Sequence, residues 1–156
     1  DGDLVICGKD EPNRGFREIC EMIVDINARK RLPENDAVGL DAFGVAELVD
    51  RLLEAGLTEE QLCAVAQGVR LSSSVWGMER KLKDARTWHA GTQMMNWVVS
   101  NAKAEQRGNA IYISKQAAGK AKIDPLIAGF NAFHLMAKNP ENATRSVYEQ
   151  RGVLRL

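Results

Sequence analysis

The run Lys115 to Met136, KQAAGKAKIDPLIAGFNAFHLM, sets one acid, Asp124, between a basic loop and an apolar helix. A carboxylate where a loop turns into a helix can hold a divalent cation, and Lys115, Lys120 and Lys122 beside it can meet phosphates. Well upstream, in AVGLDAFG, Asp41 closes a short apolar run. Mg²⁺ and Mn²⁺ favour carboxylate oxygens and water, and metal-dependent phosphoryl transfer draws on several convergent acids. Two acids at two element ends, with lysines near one, point to phosphodiester chemistry if the last helix crosses the edge that Asp41 occupies. Taken singly, each acid also has a plainer role. Asp41 fits an N-cap or first-turn acid ahead of a helix, and Asp124 does the same ahead of Pro125. Arg107, in the Arg107-Gly108-Asn109 turn, is a further candidate contact to a nucleic-acid backbone.

The elements that must position these residues can be read from periodicity and caps. Leu4 to Gly8 is a short apolar run that reads as a strand. Asn13 caps a helix with Phe16, Ile19, Cys20, Ile23, Val24 and Ile26 on one stripe, and Pro33 marks its end. Ala37 to Asp41 is apolar almost throughout and reads as a central strand. A helix opens at Gly44 and closes at Gly56. Thr58 and Gln61 form a capping box, and Cys63 to Ala66 makes a third strand, with Gln67 and Gly68 at its end. Ser72 to Ser74 offer caps for a helix through Ala85, Trp88 and His89 are extended, and Thr92 caps another helix to about Asn101. Lys103–Gln106 and Ala110–Ser114 flank a hairpin turn. The last long helix runs from Asp124 to Ala137 and stops before Asn139-Pro140. This order gives an α/β fold: a central mixed, mainly parallel sheet flanked by helices, with a β-hairpin before the last long helix. In such sheets sites gather at the carboxyl ends of the strands, where Asp41 falls.

Other residues are less informative. His89 and His134 lack partners at ligand spacing, and His134 fits a core or rim position in an apolar helix. Trp76, Trp88 and Trp97 sit on or beside amphipathic helices, which suits core packing better than base stacking. Cys7, Cys20 and Cys63 have no metal-type spacing and read as small buried hydrophobes in a reducing compartment.

The chain of 156 residues is long enough for one domain with a sizeable core, and its 45% hydrophobic content argues against disorder. Lysine plus arginine and aspartate plus glutamate number 21 each, so nucleic-acid binding must rest on local patches rather than net charge. No apolar run approaches the ~20 residues that span a bilayer, and no signal peptide opens the chain, so a soluble cytoplasmic protein is expected. No P-loop, GxGxxG, GxSxG or zinc pattern supports an ATPase, dinucleotide, serine-hydrolase or zinc-site reading.

Four runs taken in order, VGLDAFGVAELVDRLLEAG, AQGVRLSSSVWGMERKL, WHAGTQMMNWVVSNAKAEQRGNAIYISK and KIDPLIAGFNAFHLM, resemble the C-terminal nuclease domain of tailed-phage terminase large subunits. The closing SVYEQRGVLRL is similar to the end of such subunits. The resemblance implies a ribonuclease-H-like fold over residues 1–140 with a C-terminal tail over 141–156. It also implies a metal-dependent DNA endonuclease, a hydrolase that cuts concatemeric double-stranded DNA during packaging inside the bacterial host. On this match Asp41 is the family's second acid and Asp124 its third, holding Mg²⁺ or Mn²⁺, two ions in a complete domain. The small terminase subunit and the portal are the implied protein partners. The family's first acid has no counterpart on a strand before Leu4, and Asp1 and Asp3 lie too near the first helix to take its place. The motor domain is missing as well. The resemblance therefore implies a nuclease domain lacking its first strands, with an inactive prophage remnant that binds DNA or serves assembly as the alternative.

Overall fold

The computed structural model describes residues 4–11, 13–116 and 121–141. Lys120, Asp1, Asp3 and the apolar residues Val147, Tyr148, Val153 and Leu154 lie outside the described residues, as does nearly all of the proposed tail.

Five helices and two small sheets make up the described chain. In order they are α1 (Arg14–Ala28), β1 (Val38–Asp41), α2 (Ala46–Glu54), β2 (Leu62–Val65), α3 (Ser72–Lys83), α4 (Gln93–Ser100), β3 (Ala102–Arg107), β4 (Ala110–Lys115) and α5 (Asp124–Met136). β1 and β2 pair in parallel with Asp41 opposite Val65, and β3 and β4 form an antiparallel hairpin from Ala102↔Lys115 to Arg107↔Ala110. The α/β class is as expected, but the single central sheet is not: the parallel pair and the hairpin are separate two-stranded sheets.

Alternation along the parallel pair assigns the layers. Val38, Leu40 and Leu62 pack toward Cys20, Leu48 and Leu52 of α1 and α2. Cys63 and Val65 turn the other way, into a core with Val75, Phe130 and Leu135 of α3 and α5 and with Ile111 and Ile113 of the hairpin. Close approach needs glycine at two places. A Cβ on Gly39 would stand 3.0 Å from Leu135 Cδ1, and one on Gly77 would stand 2.8 Å from Phe133 Cε1. The hairpin is fastened to α3 by Ser72 Oγ, which accepts the Ile111 N–H at 2.8 Å. That hydroxyl was expected to cap the helix; the N-cap position belongs to Leu71.

Other local expectations meet the structure directly. Thr92 Oγ1 accepts the Met95 N–H as an N-cap should, and Gln61 Oε1 accepts the Thr58 N–H as the reciprocal half of a capping box. Asn13 stands at the N-cap of α1 without a side-chain cap bond.

Three expectations are corrected. Leu4 to Gly8 is irregular rather than a strand, with Leu4, Val5 and Ile6 exposed. β-branched content marks a capacity to pair, and no described strand lies beside this run to pair with it. The tryptophans are not core residues: Trp76 and Trp97 are about half exposed and Trp88 is 80% exposed. In α3 and α4 the neighbouring Val75 and Val98 take the buried stripe and leave the indoles on the outer face. Cys7 is exposed, since it lies in the same irregular segment, whereas Cys20 is buried and Cys63 partly so.

Candidate functional site

Asp41 is the last residue of β1 and lies on the α5 face of the sheet, two residues after Gly39. Its Oδ1 accepts the Phe43 N–H at 3.2 Å, which fixes the carboxylate at the turn into α2. Gly44, with φ of +74°, completes that turn. Asp124 is the first residue of α5 and is exposed; Ile123 before it is buried and Pro125 follows it. The chain entering α5 is held by Asn101 Nδ2, which donates to the Lys122 carbonyl at 3.1 Å.

Both acids line one cavity of about 460 Å³, which lies where the carboxyl end of the parallel pair meets the start of α5 and the hairpin. Lys115, the exposed last residue of β4, lines it as well. The structure thus brings together Asp41, Asp124 and Lys115 from three separate elements. Lys122 is exposed but does not line this cavity. Arg107 is engaged by its own hairpin: its guanidinium carbon sits 4.5 Å from the centre of the Tyr112 ring, and Glu105 lies 3.6 Å away. The Lys103 ammonium, hydrogen-bonding Glu105, holds that carboxyl below the usual range, with Ser114 and Arg107 adding to the effect.

The walls contain residues that the sequence did not single out as site residues. Tyr112, whose ring carries Arg107, lines the cavity. So do Gln67 and Asn131: Gln67 Nε2 donates to Asn131 Oδ1 at 3.1 Å and to the Val65 carbonyl at 2.9 Å, tying the end of β2 to α5. Asn131 is buried, and a lone amide inside the apolar run of α5 is the sequence signal that could have found it. His134 meets its expected rim role, with Nδ1 3.2 Å from the buried Ser74 hydroxyl.

Asp41 and Asp124 give this cavity two carboxylates, the ligand type that hard divalent cations such as Mg²⁺ and Mn²⁺ favour. Among the described residues no group of three or more His, Cys, Asp or Glu side chains is arranged to hold a metal. No helix among the described residues is long and apolar enough to cross a membrane. Comparison of the chain with protein-family models, curated proteins and solved structures returned no match.

Proposed function

We propose that this chain is the metal-dependent endonuclease domain of a phage DNA-packaging terminase large subunit, with a ribonuclease-H-like fold, cutting concatemeric double-stranded DNA. The observation that carries the reading is the convergence of Asp41 and Asp124, remote in sequence, on one cavity that Lys115 also lines. Asp41 and Asp124 hold Mg²⁺ or Mn²⁺, which when bound supplies charge stabilisation at the scissile phosphate and activation of water. Asp41 is oriented for this by the Phe43 N–H, and Asp124 by its fixed place at the start of α5. The Lys115 ammonium offsets phosphate charge at the same cavity, while Lys122 and the outer face of the hairpin around Arg107 steer the DNA backbone. On the same reading the small terminase subunit selects the target, and the portal is the docking partner.

A supercoiled plasmid incubated with the chain and Mn²⁺, Mg²⁺ or EDTA tests this. Nicking is expected with metal alone, and Asp41→Asn or Asp124→Asn should reduce it to background. The melting temperature should hardly move, because asparagine keeps an acceptor for the Phe43 N–H and Asp124 is exposed. A variant that still nicks at the parent rate would remove its acid from the site.

One observation favours a second reading, a catalytically inactive remnant that binds DNA or serves assembly: no third acid joins the pair among the described residues. Calorimetric titration with Mn²⁺ separates the two. Saturable binding that Asp124→Asn abolishes favours the nuclease, and DNA binding indifferent to metal favours the remnant.

A further inference from the structure

Asn131 lines the cavity that Asp41, Asp124 and Lys115 share, and it is only 6% exposed. It follows Asp124 on α5 by two helical turns, on the same face and about 10 Å along the axis. Asp124 is exposed where the helix begins, and the amide is buried further along.

The polarity of that amide is fixed by its neighbour. The two protons of Gln67 Nε2 go to the Val65 carbonyl at 2.9 Å and to Asn131 Oδ1 at 3.1 Å. Turning the Gln67 amide over would set its oxygen against the Val65 carbonyl. Turning Asn131 over would set two NH₂ groups against each other. Either reversal loses a hydrogen bond and leaves like partial charges in contact. Oδ1 is therefore occupied inside the wall, and Nδ2 is the end left over. It donates to no group among the described residues, where every buried side-chain nitrogen or oxygen has a partner. Nδ2 is accordingly not sealed in; it opens on the cavity that its residue lines.

An amide that shows only its donor end is selective. A base edge or a peptide offers donors and acceptors together, and asparagine meets such a group with both of its ends. A phosphate diester offers acceptors alone. The Lys115 ammonium at the same cavity is likewise a pure donor, and its charge is opposite to that of a phosphate. Both donors thus call for an anionic group rich in acceptors, and, resting on the nuclease reading, that group is a phosphodiester of DNA.

We propose that Asn131 Nδ2 donates to a non-bridging phosphate oxygen of the DNA strand seated in this cavity, with Gln67 holding the amide in that orientation.

Binding of a fluorescently labelled DNA duplex to the full chain in EDTA, read by anisotropy, tests this. Asn131→Asp keeps an acceptor for Gln67 Nε2 but replaces the donor with an anion. Gln67→Leu together with Asn131→Leu removes the donor without adding charge, and leaves no amide unpaired because both partners become apolar. Each variant should bind the duplex about tenfold more weakly than the parent, the loss expected for a hydrogen bond to a charged group. Mn²⁺ affinity of the leucine pair, read by calorimetry, should stay at the parent value. Parental duplex binding by Asn131→Asp overturns the proposal. So does parental binding by the folded leucine pair, since charge alone would then explain any loss in Asn131→Asp. Mn²⁺ affinity that falls together with duplex binding also overturns it, and makes the amide a support for the acids. Plasmid nicking is read separately. A parent that nicks while both variants bind normally keeps the nuclease reading and loses this contact; weak binding by both variants of a parent that never nicks does the reverse.

Discussion

Asn131 is a buried amide in an apolar helix, and its partnership with Gln67 shows how single residues hold the candidate site together. Asn131→Ala leaves the Gln67 amide without one of its acceptors and opens a gap in the cavity wall. The expected cost is about 1–3 kcal/mol, read as a lower urea midpoint at unchanged slope. Gly77→Ala acts through space instead: its Cβ would stand 2.8 Å from the Phe133 ring, and α3 and α5 would have to part. About 1–3 kcal/mol of destabilisation is expected, measured by thermal melting. Asp41 and Asp124 are legible in the sequence because a single acid ends an apolar run in one case and opens a helix in the other. The Gln67–Asn131 bond is not legible, since it joins residues 64 apart and neither neighbourhood announces the other. The glycine at 77 reads as a weak spot in a helix until the Phe133 ring is seen against it.

Helices and the hairpin follow their local signals closely, whereas sheet membership does not. α4 begins after the threonine that caps it, and the hairpin turns at Gly108, whose φ of +60° suits the Arg-Gly-Asn signal. The apolar run at Leu4 to Gly8 carries strand composition as strong as that of β1, but strand formation depends on a neighbour, which composition cannot supply. One inter-element tie gives a pH prediction. Lys138, just past α5, donates to Asp36 Oδ2 at 2.9 Å, ahead of β1. That hydrogen bond holds the Asp36 carboxyl below its ordinary range and the Lys138 ammonium above its own. A lowered carboxyl adds stability at pH values above its unfolded value, near 3.9, and loses it as pH falls through the folded value. Asp36→Asn should therefore lower stability slightly at neutral pH and leave it unchanged below the folded value, which flattens the acid side of the stability curve, as urea titrations between pH 2 and 7 would show.

At the scale of the whole molecule, equal numbers of acidic and basic residues mean that any DNA binding is local. Binding should weaken steeply with salt, with a log–log slope near −0.9 for each phosphate neutralised. Lys115→Ala and Lys122→Ala should each reduce that slope by about 1, whereas Lys83→Ala, already paired with Glu79 at 2.7 Å, should leave it unchanged. Filter binding of plasmid DNA across a salt series is the measurement.

The attachment of α5 also has a kinetic side. The hairpin closes between near neighbours in sequence, but the bonds from α5 to the rest of the site and core bridge 60 residues for Ser74–His134 and 64 for Gln67–Asn131. Contacts of such separation form late, because loop closure must be met before they reward it. The parallel pair waits on its own crossover through α2, so the site cannot be assembled piecemeal from its nearest parts. Docking of α5 brings Asp124 to the cavity that Asp41 and Lys115 line, so substitutions at that seam should alter refolding rate and the gain of metal binding together.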